Sequence, residues 1–414
     1  MFHINYFCTR RLNNHLFDTI NTMKKFKFSL RLPKGRNIQI QISMVLLCLI
    51  GLLMIVSASM TTNISTQSLM GTAFRQFVFI FFGYMGYIAF AKFFKIEYFT
   101  KSSGILSIIM IGFLLIPRLF GPINGAYAWI PVPGIGTIQP SEFAKLGLII
   151  VFAVFLGDIK RRNATFGEII QFPAFYFFIT FFIIMFFQKD TGTAIVLFVI
   201  AFFEFMMAGH KSLAKAHMVM VVLIILGVLG ALILLSPEGI HFLKNGLNLP
   251  EYMVARFENT MNPFINKYGS GYQLVNGLVA FVKGNWSGVG FGKSLQKYGY
   301  LPAAKTDFIL AVIAEEFGFI GVLTVIVLYF MLMFQLFKHA LNAKDEKSRM
   351  ILVGIGIYLF AHFVLNVGGV TALIPLTGVP LLMLSSGGSS TLSIMFGLGI
   401  AQAVIIRQKK EEIE

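Results

Sequence analysis

Acidic and basic side chains stand inside or beside several long apolar stretches of this sequence, where ionisable groups are costly and mark candidate functional sites. Glu142 and Lys145 are three residues apart in QPSEFAKLGL, so on a helix they share one face and offset each other's charge. Such a pair serves packing as readily as chemistry. Asp190 and Asp307 each stand where an apolar stretch begins, and either could cap the free amides of a helix. Together with Glu142 they also predict a polar cluster at one membrane face, in which Asp307 is a candidate proton acceptor.

Two further acids, Glu315 and Glu316, follow Asp307 within the same apolar stretch. On a continuous α-helix they lie roughly 12–14 Å beyond Asp307, because each residue adds ~1.5 Å. At ~100° per residue they are turned about 80° and about 180° from it, so they cannot both share its face. We therefore assign the chemistry to Asp307 and give the two glutamates a role in polar packing or in a cavity wall.

A glycine-rich run, GVGFGKS, ends at Ser294. It is similar to a nucleotide-binding loop, but Ser287 stands where that motif requires glycine. A flexible turn whose backbone amides and Lys293 side chain contact a phosphate is the better interpretation.

The composition of the chain places these side chains in a membrane. Hydrophobic residues make up 57% of its 414 residues and charged residues only 13%. We predict an all-α integral membrane protein, a ten-span helical bundle, because ten segments are apolar and long enough to cross a ~30 Å hydrocarbon core. The predicted spans are 41–60, 74–91, 104–121, 140–157, 169–187, 190–208, 217–236, 307–337, 349–371 and 386–406.

The distribution of lysine and arginine orients the predicted spans, since short basic loops are retained in the cytoplasm. We predict that both termini are cytoplasmic, with a basic tail at 1–40, a membrane domain at 41–406 and a short tail at 407–414. One long extracellular loop, 237–306, lies between spans 7 and 8. The basic residues of the cytoplasmic connections are Lys92, Lys95, Lys101, Lys160, Arg161, Arg162, Lys211, Lys215, Lys338, Lys344, Lys347 and Arg349.

The net charge of +16 is that of a membrane protein with a basic cytoplasmic side, which meets anionic lipid, and we expect no nucleic acid as a partner. Cys8 lies in the tail and Cys48 in the first span, so neither a disulfide nor a thiolate metal site is predicted. A complete basic start begins at Met23, and residues 1–22 are interpreted as an upstream extension.

Five motifs resemble those of the SEDS family of shape, elongation, division and sporulation proteins. The resemblance covers nearly all of residues 41–406. It implies a ten-span peptidoglycan polymerase that joins lipid II disaccharides at the outer face of the bacterial cytoplasmic membrane, together with a class B penicillin-binding protein. The motifs are QPSEFAK, DTGT, GYQLVNGLVA, GVGFGKSLQKYGYLPAAKTDFILAVIAEEFG and LTGVPLLMLSSGGSS.

Within this family, GVGFGKSLQK, YLPAAKTDF and the SAS at 57–59 are more similar to division-type members than to elongation-type members. The resemblance therefore implies septal cell-wall synthesis, with other cell-division membrane proteins as partners. It also implies roles for single residues. The family's essential outer-loop aspartate matches Asp307, its glutamate and lysine pair matches Glu142 and Lys145, and the aspartate of its DxGT motif matches Asp190.

In the implied reaction a sugar hydroxyl attacks an anomeric carbon while undecaprenyl diphosphate leaves, which requires a general base and positive charge near the diphosphate. Asp307 is the candidate base, and Ser385 of the last motif is a further polar candidate. The candidate diphosphate partners are Lys145, Arg256, Lys293, Lys297 and Lys305.

The sequence departs from the family pattern at a few positions near these candidates. Because Asp307 and both its neighbours are retained, we expect activity to persist, with altered acceptor contacts around residue 305. The departures are Lys189, Ala303, Lys305, Leu382 and Ser386.

A divalent cation, Mg²⁺ or Mn²⁺, is an optional partner of the diphosphate, because it needs only one or two protein carboxylates. No organic cofactor is expected. Three alternatives remain: a lipid II flippase, for which buried acids and a basic cavity are equally expected, an elongation-type polymerase, and a catalytically silent scaffold in which Asp307 only caps a helix. The polar candidates gather toward the outer side, which favours a polymerase.

The predicted topology can be tested by cysteine labelling. Cysteines introduced at Lys160 and Lys344 should react with a membrane-impermeant reagent only from the cytoplasm, and one at Lys267 only from outside, because of the lysine and arginine asymmetry. Labelling at position 344 from outside would overturn the order of spans from span 8 onward.

Overall fold

The structure is a computed structural model that describes residues 32–60, 66–123, 125–158, 164–246 and 251–412. Helices make up nearly all of its regular structure. They are α1 (Ile38–Ser59), α2 (Thr66–Phe93), α3 (Ile96–Leu115), α4 (Pro140–Leu156), α5 (Phe166–Phe182), α6 (Thr191–Met207), α7 (Ala214–Leu234), α8 (Pro237–His241), α9 (Glu251–Met261), α10 (Tyr272–Gly284), α11 (Ile309–Leu341), α12 (Glu346–Val370) and α13 (Gly388–Glu411). Short 3₁₀ turns at Ile116–Phe120 and Lys211–Leu213, and π-helical turns at Ile183–Phe187 and Phe242–Gly246, adjoin four of them.

Each of the ten predicted spans coincides with one helix, α1 to α7 or α11 to α13, so the all-α bundle is confirmed. Within the described part of the chain, eight helices are long and apolar enough to cross a membrane. The other two, α4 and α6, have 17 residues each, or about 25 Å of helix. The number of crossings, their orientation and the domain boundaries stay predictions. Met23 and the basic residues at 160–162 lie outside the described residues.

Three helices, α4, α12 and α13, form the centre of the bundle and are buried along most of their length. Glycines let α2 and α13 approach closely: a Cβ at Gly86 would lie 1.9 Å from the Phe396 ring, and one at Gly399 2.6 Å from the Tyr87 carbonyl oxygen. At the periphery, α7 has no buried residue. Its apolar side chains therefore face the lipid that the composition predicts.

A two-stranded hairpin leads into α4, a small β element that the all-α prediction did not include. Strands β1 (Ile130–Val132) and β2 (Gly136–Ile138) pair antiparallel, with Ile130 opposite Ile138 and Val132 opposite Gly136. Pro140 follows as the first residue of α4, where its missing N–H costs nothing. The hairpin thereby fixes the position at which α4 begins.

Helix α11 is interrupted at Gly318, although the sequence predicts a continuous span. The glycine has φ 65° and ψ −160°, so the helical hydrogen bonds are lost around it. The turn after α10 replaces two of them: the N–H of Phe319 donates to the Asn285 oxygen (2.8 Å) and that of Ile320 to the Trp286 oxygen (3.2 Å). A break at membrane depth is tolerated when other backbone satisfies the freed groups in this way.

The glycine-rich run pairs with the backbone of α11 on the other side of the break. The N–H of Val289 donates to the Glu315 oxygen (2.9 Å) and that of Gly290 to the Glu316 oxygen (3.0 Å). A Cβ at Gly288 would lie 2.1 Å from the Glu316 oxygen, so the close approach requires glycine. The run therefore serves backbone pairing, and its predicted contact with a phosphate has no support in this position.

The break at Gly318 generates a stability prediction. We expect Gly318→Ala to lower the free energy of unfolding by about 3 kcal/mol, because this backbone conformation is open essentially to glycine alone. A Cβ would also lie 2.5 Å from the backbone of Trp286 and Gly288. Denaturant titration of the purified protein in detergent micelles measures the change.

The matched control is Gly112→Ala in α3, where a Cβ would have nothing within 4 Å. Helix propensity makes this change neutral or stabilising by up to about 1 kcal/mol. Equal effects of the two substitutions would contradict the assigned role of Gly318.

Candidate functional site

One end of the bundle contains a polar cavity of about 430 Å³. Four helices, α4, α6, α11 and α13, begin at it, because residues at their starts line its wall. The positive ends of four helix dipoles therefore lie beside the cavity. The charged residues that line it are Glu142, Lys145, Lys189, Asp190, Arg256 and Asp307.

Three of these helix starts have no side-chain cap. Gln139 before α4, Phe308 before α11 and Gly387 before α13 make no capping hydrogen bond through a side chain. Their first backbone amides remain without a side-chain acceptor, and such amides at a helix N-terminus attract anions. The cavity is therefore electrostatically suited to a negatively charged group.

Asp190 caps the fourth helix, α6. Its Oδ1 accepts a hydrogen bond from the Thr193 N–H (3.0 Å). Its Oδ2 accepts from the Thr193 hydroxyl (2.8 Å) and from the Gln139 side-chain amide (2.7 Å). Because both carboxylate oxygens are engaged, Asp190 is a poor candidate for a proton acceptor.

Glu142 and Lys145 form the predicted ion pair, with 2.8 Å between Lys145 Nζ and Glu142 Oε1, and both side chains are buried. The other oxygen of Glu142 accepts a hydrogen bond from the Tyr358 hydroxyl (2.6 Å). Lys145 Nζ also lies 2.9 Å from His362 Nε2. The lysine is therefore held between a carboxylate and an imidazole.

The tautomer of His362 follows from its second contact. Its Nδ1 lies 2.9 Å from the carbonyl oxygen of Pro380, which can only accept, so Nδ1 carries the proton. Nε2 is then free to accept a hydrogen bond from Lys145. Sequence reasoning missed His362, although an imidazole within the apolar run of α12 is an ionisable residue of the kind that marks membrane sites.

Asp307 lies two residues before α11 and does not cap it: the N-cap is Phe308, without a side-chain cap hydrogen bond. Among the roles considered for Asp307, simple capping is therefore wrong. Its backbone is fixed instead, because the Asn366 side-chain amide donates to the Asp307 carbonyl oxygen and to the Val379 carbonyl oxygen (2.9 Å each). Its carboxylate is left facing the cavity.

The environment of this carboxylate changes its acidity. Burial raises the pKa of Asp307 to about 6, and the charge of Arg256 and a hydrogen bond with Thr306 limit the rise. At neutral pH the group is ionised but retains appreciable proton affinity. That is the range in which a general base works well.

Three of the five predicted diphosphate partners do not line the cavity: Lys293, Lys297 and Lys305. The clearest case is Lys297, whose Nζ is buried 3.0 Å from Glu316 Oε1 and 3.1 Å from the Ser57 hydroxyl oxygen. The two that do line the cavity are Lys145 and Arg256. They are joined there by Lys189, which the sequence analysis noted only as a departure from the family pattern.

Glu315, which neighbours Glu316, is also used for packing. It accepts hydrogen bonds from the Ser294 hydroxyl, the Leu295 N–H (3.1 Å) and the Gln296 N–H (3.2 Å). The polar packing predicted for the two glutamates is thus what the structure contains. Both hold the segment between α10 and α11 against α11.

Ser385, the remaining polar candidate, supports the segment next to Asp307. Its hydroxyl donates to the Thr306 carbonyl oxygen (2.7 Å) and accepts from the Leu381 N–H (2.9 Å). Its neighbour Ser386 donates its N–H to the Lys305 carbonyl oxygen (2.8 Å). The connection between α12 and α13 therefore holds in place the backbone just before Asp307.

Comparison with known proteins matches residues 38–410 to the family model FTSW_RODA_SPOVE, described as cell cycle protein. The chain is 33% identical to a "probable peptidoglycan glycosyltransferase FtsW" of Enterococcus hirae, over 88% of this chain and 91% of that protein. It is also 33% identical to stage V sporulation protein E of Bacillus subtilis (strain 168), over 86% of this chain and 93% of that protein.

A solved structure has the same fold. Its description is "Structural coordination of polymerization and crosslinking by a peptidoglycan synthase complex", and it aligns with a TM-score of 0.69 over 91% of this chain and 99% of that chain, at 24% identity. At that identity the likeness concerns the arrangement of helices alone.

The pair of Glu142 and Lys145 generates a prediction for a double-mutant cycle. We expect Glu142→Gln and Lys145→Met each to lower the free energy of unfolding by about 3 kcal/mol, because each leaves a buried charge uncompensated. The double variant should lose less than the sum, with a coupling energy of at least about 1 kcal/mol. Denaturant titration in detergent micelles measures all four proteins.

The control cycle uses Arg407 and Glu411, whose paired side chains are 51% and 50% exposed. Solvent screening should keep their coupling below about 1 kcal/mol. Additive losses at Glu142 and Lys145 would show that the two are not one unit.

Proposed function

Because the chain belongs to the cell cycle protein family of FtsW, RodA and SpoVE, we propose that it is a peptidoglycan glycosyltransferase that polymerises lipid II into glycan strands. The observation that carries this proposal is that one cavity holds an available carboxylate, Asp307, beside cations and uncapped helix starts. Transfer of a glycosyl group from a diphosphate requires a base for the attacking hydroxyl and positive charge for the leaving group. Both are present within one cavity.

Asp307 is the base in this proposal. Of the three acids that line the cavity, Glu142 is paired with Lys145 and Asp190 caps α6. Asp307 alone keeps a carboxylate directed at the cavity with a pKa of about 6. It takes the proton of the acceptor hydroxyl as the bond to the anomeric carbon forms and the bond to the diphosphate oxygen breaks.

The leaving diphosphate is bound by Lys145, Lys189 and Arg256 together with the amides at the starts of α4, α11 and α13. Lys145 has three N–H donors, and Glu142 and His362 accept two of them. The third remains for a phosphate oxygen. His362 is therefore a positioning residue, since it fixes the direction in which the ammonium donates.

A divalent cation, Mg²⁺ or Mn²⁺, is compatible with this arrangement as a companion of the substrate. No group of three or more histidine, cysteine or acidic side chains within the described ranges could hold a metal ion by itself. The diphosphate oxygens would supply most of the ligands and Asp190 the protein carboxylate, which leaves Asp307 to act as the base. The cation would then neutralise charge on the leaving group.

Cell division is the proposed setting, at the septum of the bacterial cytoplasmic membrane. The similarity to the FtsW of Enterococcus hirae supports it. Because the identity to a sporulation protein is equal, the proposal extends to septa that form during sporulation. A class B penicillin-binding protein is the proposed partner, with other division membrane proteins around it. The support is the description of the solved relative, which combines polymerisation with crosslinking.

The central experiment is polymerisation of lipid II by the purified full-length protein, reconstituted with its candidate partner. We expect Asp307→Asn to fold and to bind the partner while polymerisation falls roughly 10²-fold or more, because the base is gone. A gel that resolves glycan chains measures the product, with and without a chelator. Wild-type-like chain formation by folded Asp307→Asn would overturn the assignment, and loss of lipid II transport alone would favour a flippase.

The pH profile adds a second test of the same group. Because only the carboxylate form accepts a proton, kcat/KM for polymerisation, which reports the free protein, should fall as the pH decreases through about 6. Arg256→Gln removes a charge that lowers the pKa of Asp307, so this fall should move to higher pH. The control is Asp345→Asn, because Asp345 caps α12 at the other end of the bundle and should leave the profile unchanged.

A further inference from the structure

A second charged cavity, of about 600 Å³, lies at the other end of the bundle. Helix α13 begins at the cavity that contains Asp307 and ends at this one, where α2 ends and α3 begins. Pro33 and Ser348 complete its wall. The distribution of lysine and arginine predicts that this end faces the cytoplasm. We call it the basic cavity.

The charge of the basic cavity is strongly positive. Four basic residues line it, Lys92, Lys95, Arg407 and Lys410, against one acid, Glu97. Arg407 is engaged by Glu97 and by Glu411. Within the described ranges, Lys95 and Lys410 form no ion pair with a carboxylate, and both are exposed. Two cations are therefore available to an anion from outside the chain.

The rest of the wall is apolar. Phe94 and Ala403, both partly exposed, line it, and Tyr98, which is 63% exposed, lies at its edge. A free phosphate would leave these surfaces in contact with water. A molecule with an anionic head and hydrocarbon tails would cover them, and the cavity lies at the ends of apolar helices, where such molecules are found.

A second, almost uncharged groove on the same protein shows what the positive charge contributes to the basic cavity. A cavity of about 620 Å³ between α5, α6 and the start of α7 is lined mainly by apolar side chains, with Lys215 as its one charged residue. Hydrocarbon fits that groove, but its wall offers little to distinguish one headgroup from another. The basic cavity combines a comparable volume with a net excess of three positive charges.

We propose that the basic cavity is a binding site for an anionic glycerophospholipid of the cytoplasmic leaflet, such as phosphatidylglycerol. Lys95 and Lys410 contact the phosphodiester, and the apolar wall covers the first part of the acyl chains. The bound lipid connects the α2–α3 corner to the end of α13. This site is independent of the function proposed for the cavity around Asp307.

Native mass spectrometry of the full-length protein in detergent tests the proposal. Phosphatidylglycerol should be retained at least about tenfold better than phosphatidylcholine with the same acyl chains. The double variant Lys95→Gln, Lys410→Gln should bind phosphatidylglycerol roughly 25-fold more weakly, since a lysine near an anionic lipid surface contributes roughly fivefold. The matched control Lys215→Gln removes a lysine from the apolar groove and should bind as the wild type does.

Inorganic phosphate and the neutral lipid decide between the other outcomes. If millimolar inorganic phosphate displaces phosphatidylglycerol, the cavity recognises phosphate alone and the lipid assignment is wrong. Equal retention of the two lipids would also overturn it, as would undiminished binding by the double variant. An equal loss in Lys215→Gln would show a general effect of surface charge and no specific site.

Discussion

A charge or a free backbone group surrounded by apolar helices needs a partner, because neither water nor lipid can satisfy it there. Two buried ion pairs show how this constraint organises the bundle. Lys145 with Glu142 lies at the wall of the functional cavity, whereas Lys297 with Glu316 lies beneath the segment that leads to α11. The first leaves one N–H donor of Lys145 for a substrate, because Glu142 and His362 accept only two. In the second, Glu316, the Ser57 hydroxyl and the Gly292 carbonyl oxygen accept all three donors of Lys297. The same chemical pair thus serves binding in one place and anchoring in the other.

Anchoring matters because the candidate base lies on irregular chain. Asp307 precedes α11, and a side chain there keeps its position only if the backbone around it is fixed. The ion pair of Lys297, the hydrogen bonds to Glu315 and the pairing of the glycine-rich run with the broken helix hold the segment from one side. Asn366 and Ser385 hold it from the other. Residues far from the chemistry therefore determine where the carboxylate stands.

The helices could be predicted from the sequence because hydropathy depends only on composition along the chain. The pairing of Glu142 with Lys145 followed from their spacing on one helix. Which outer lysines reach the cavity could not be predicted. Lys297 lies in the predicted extracellular loop and Lys189 directly before a predicted span, and only tertiary packing separates the buried anchor from the cavity residue. The break at Gly318 also escaped prediction, because a lone glycine in an apolar run does not indicate that another segment will pair with the helix there.

The acidity of Asp307 results from two opposing effects, burial, which raises its pKa, and the positive charge of Arg256, which lowers it. In the proposed reaction Arg256 also contacts the substrate's diphosphate. A bound diphosphate would offset the charge of Arg256 and so weaken the effect that lowers the pKa of Asp307. The carboxylate would then hold a proton more strongly in the substrate complex than in the free protein. Arrival of the leaving group would therefore strengthen the base in the same cavity, so a hydroxyl is activated most when a diphosphate is present to be displaced.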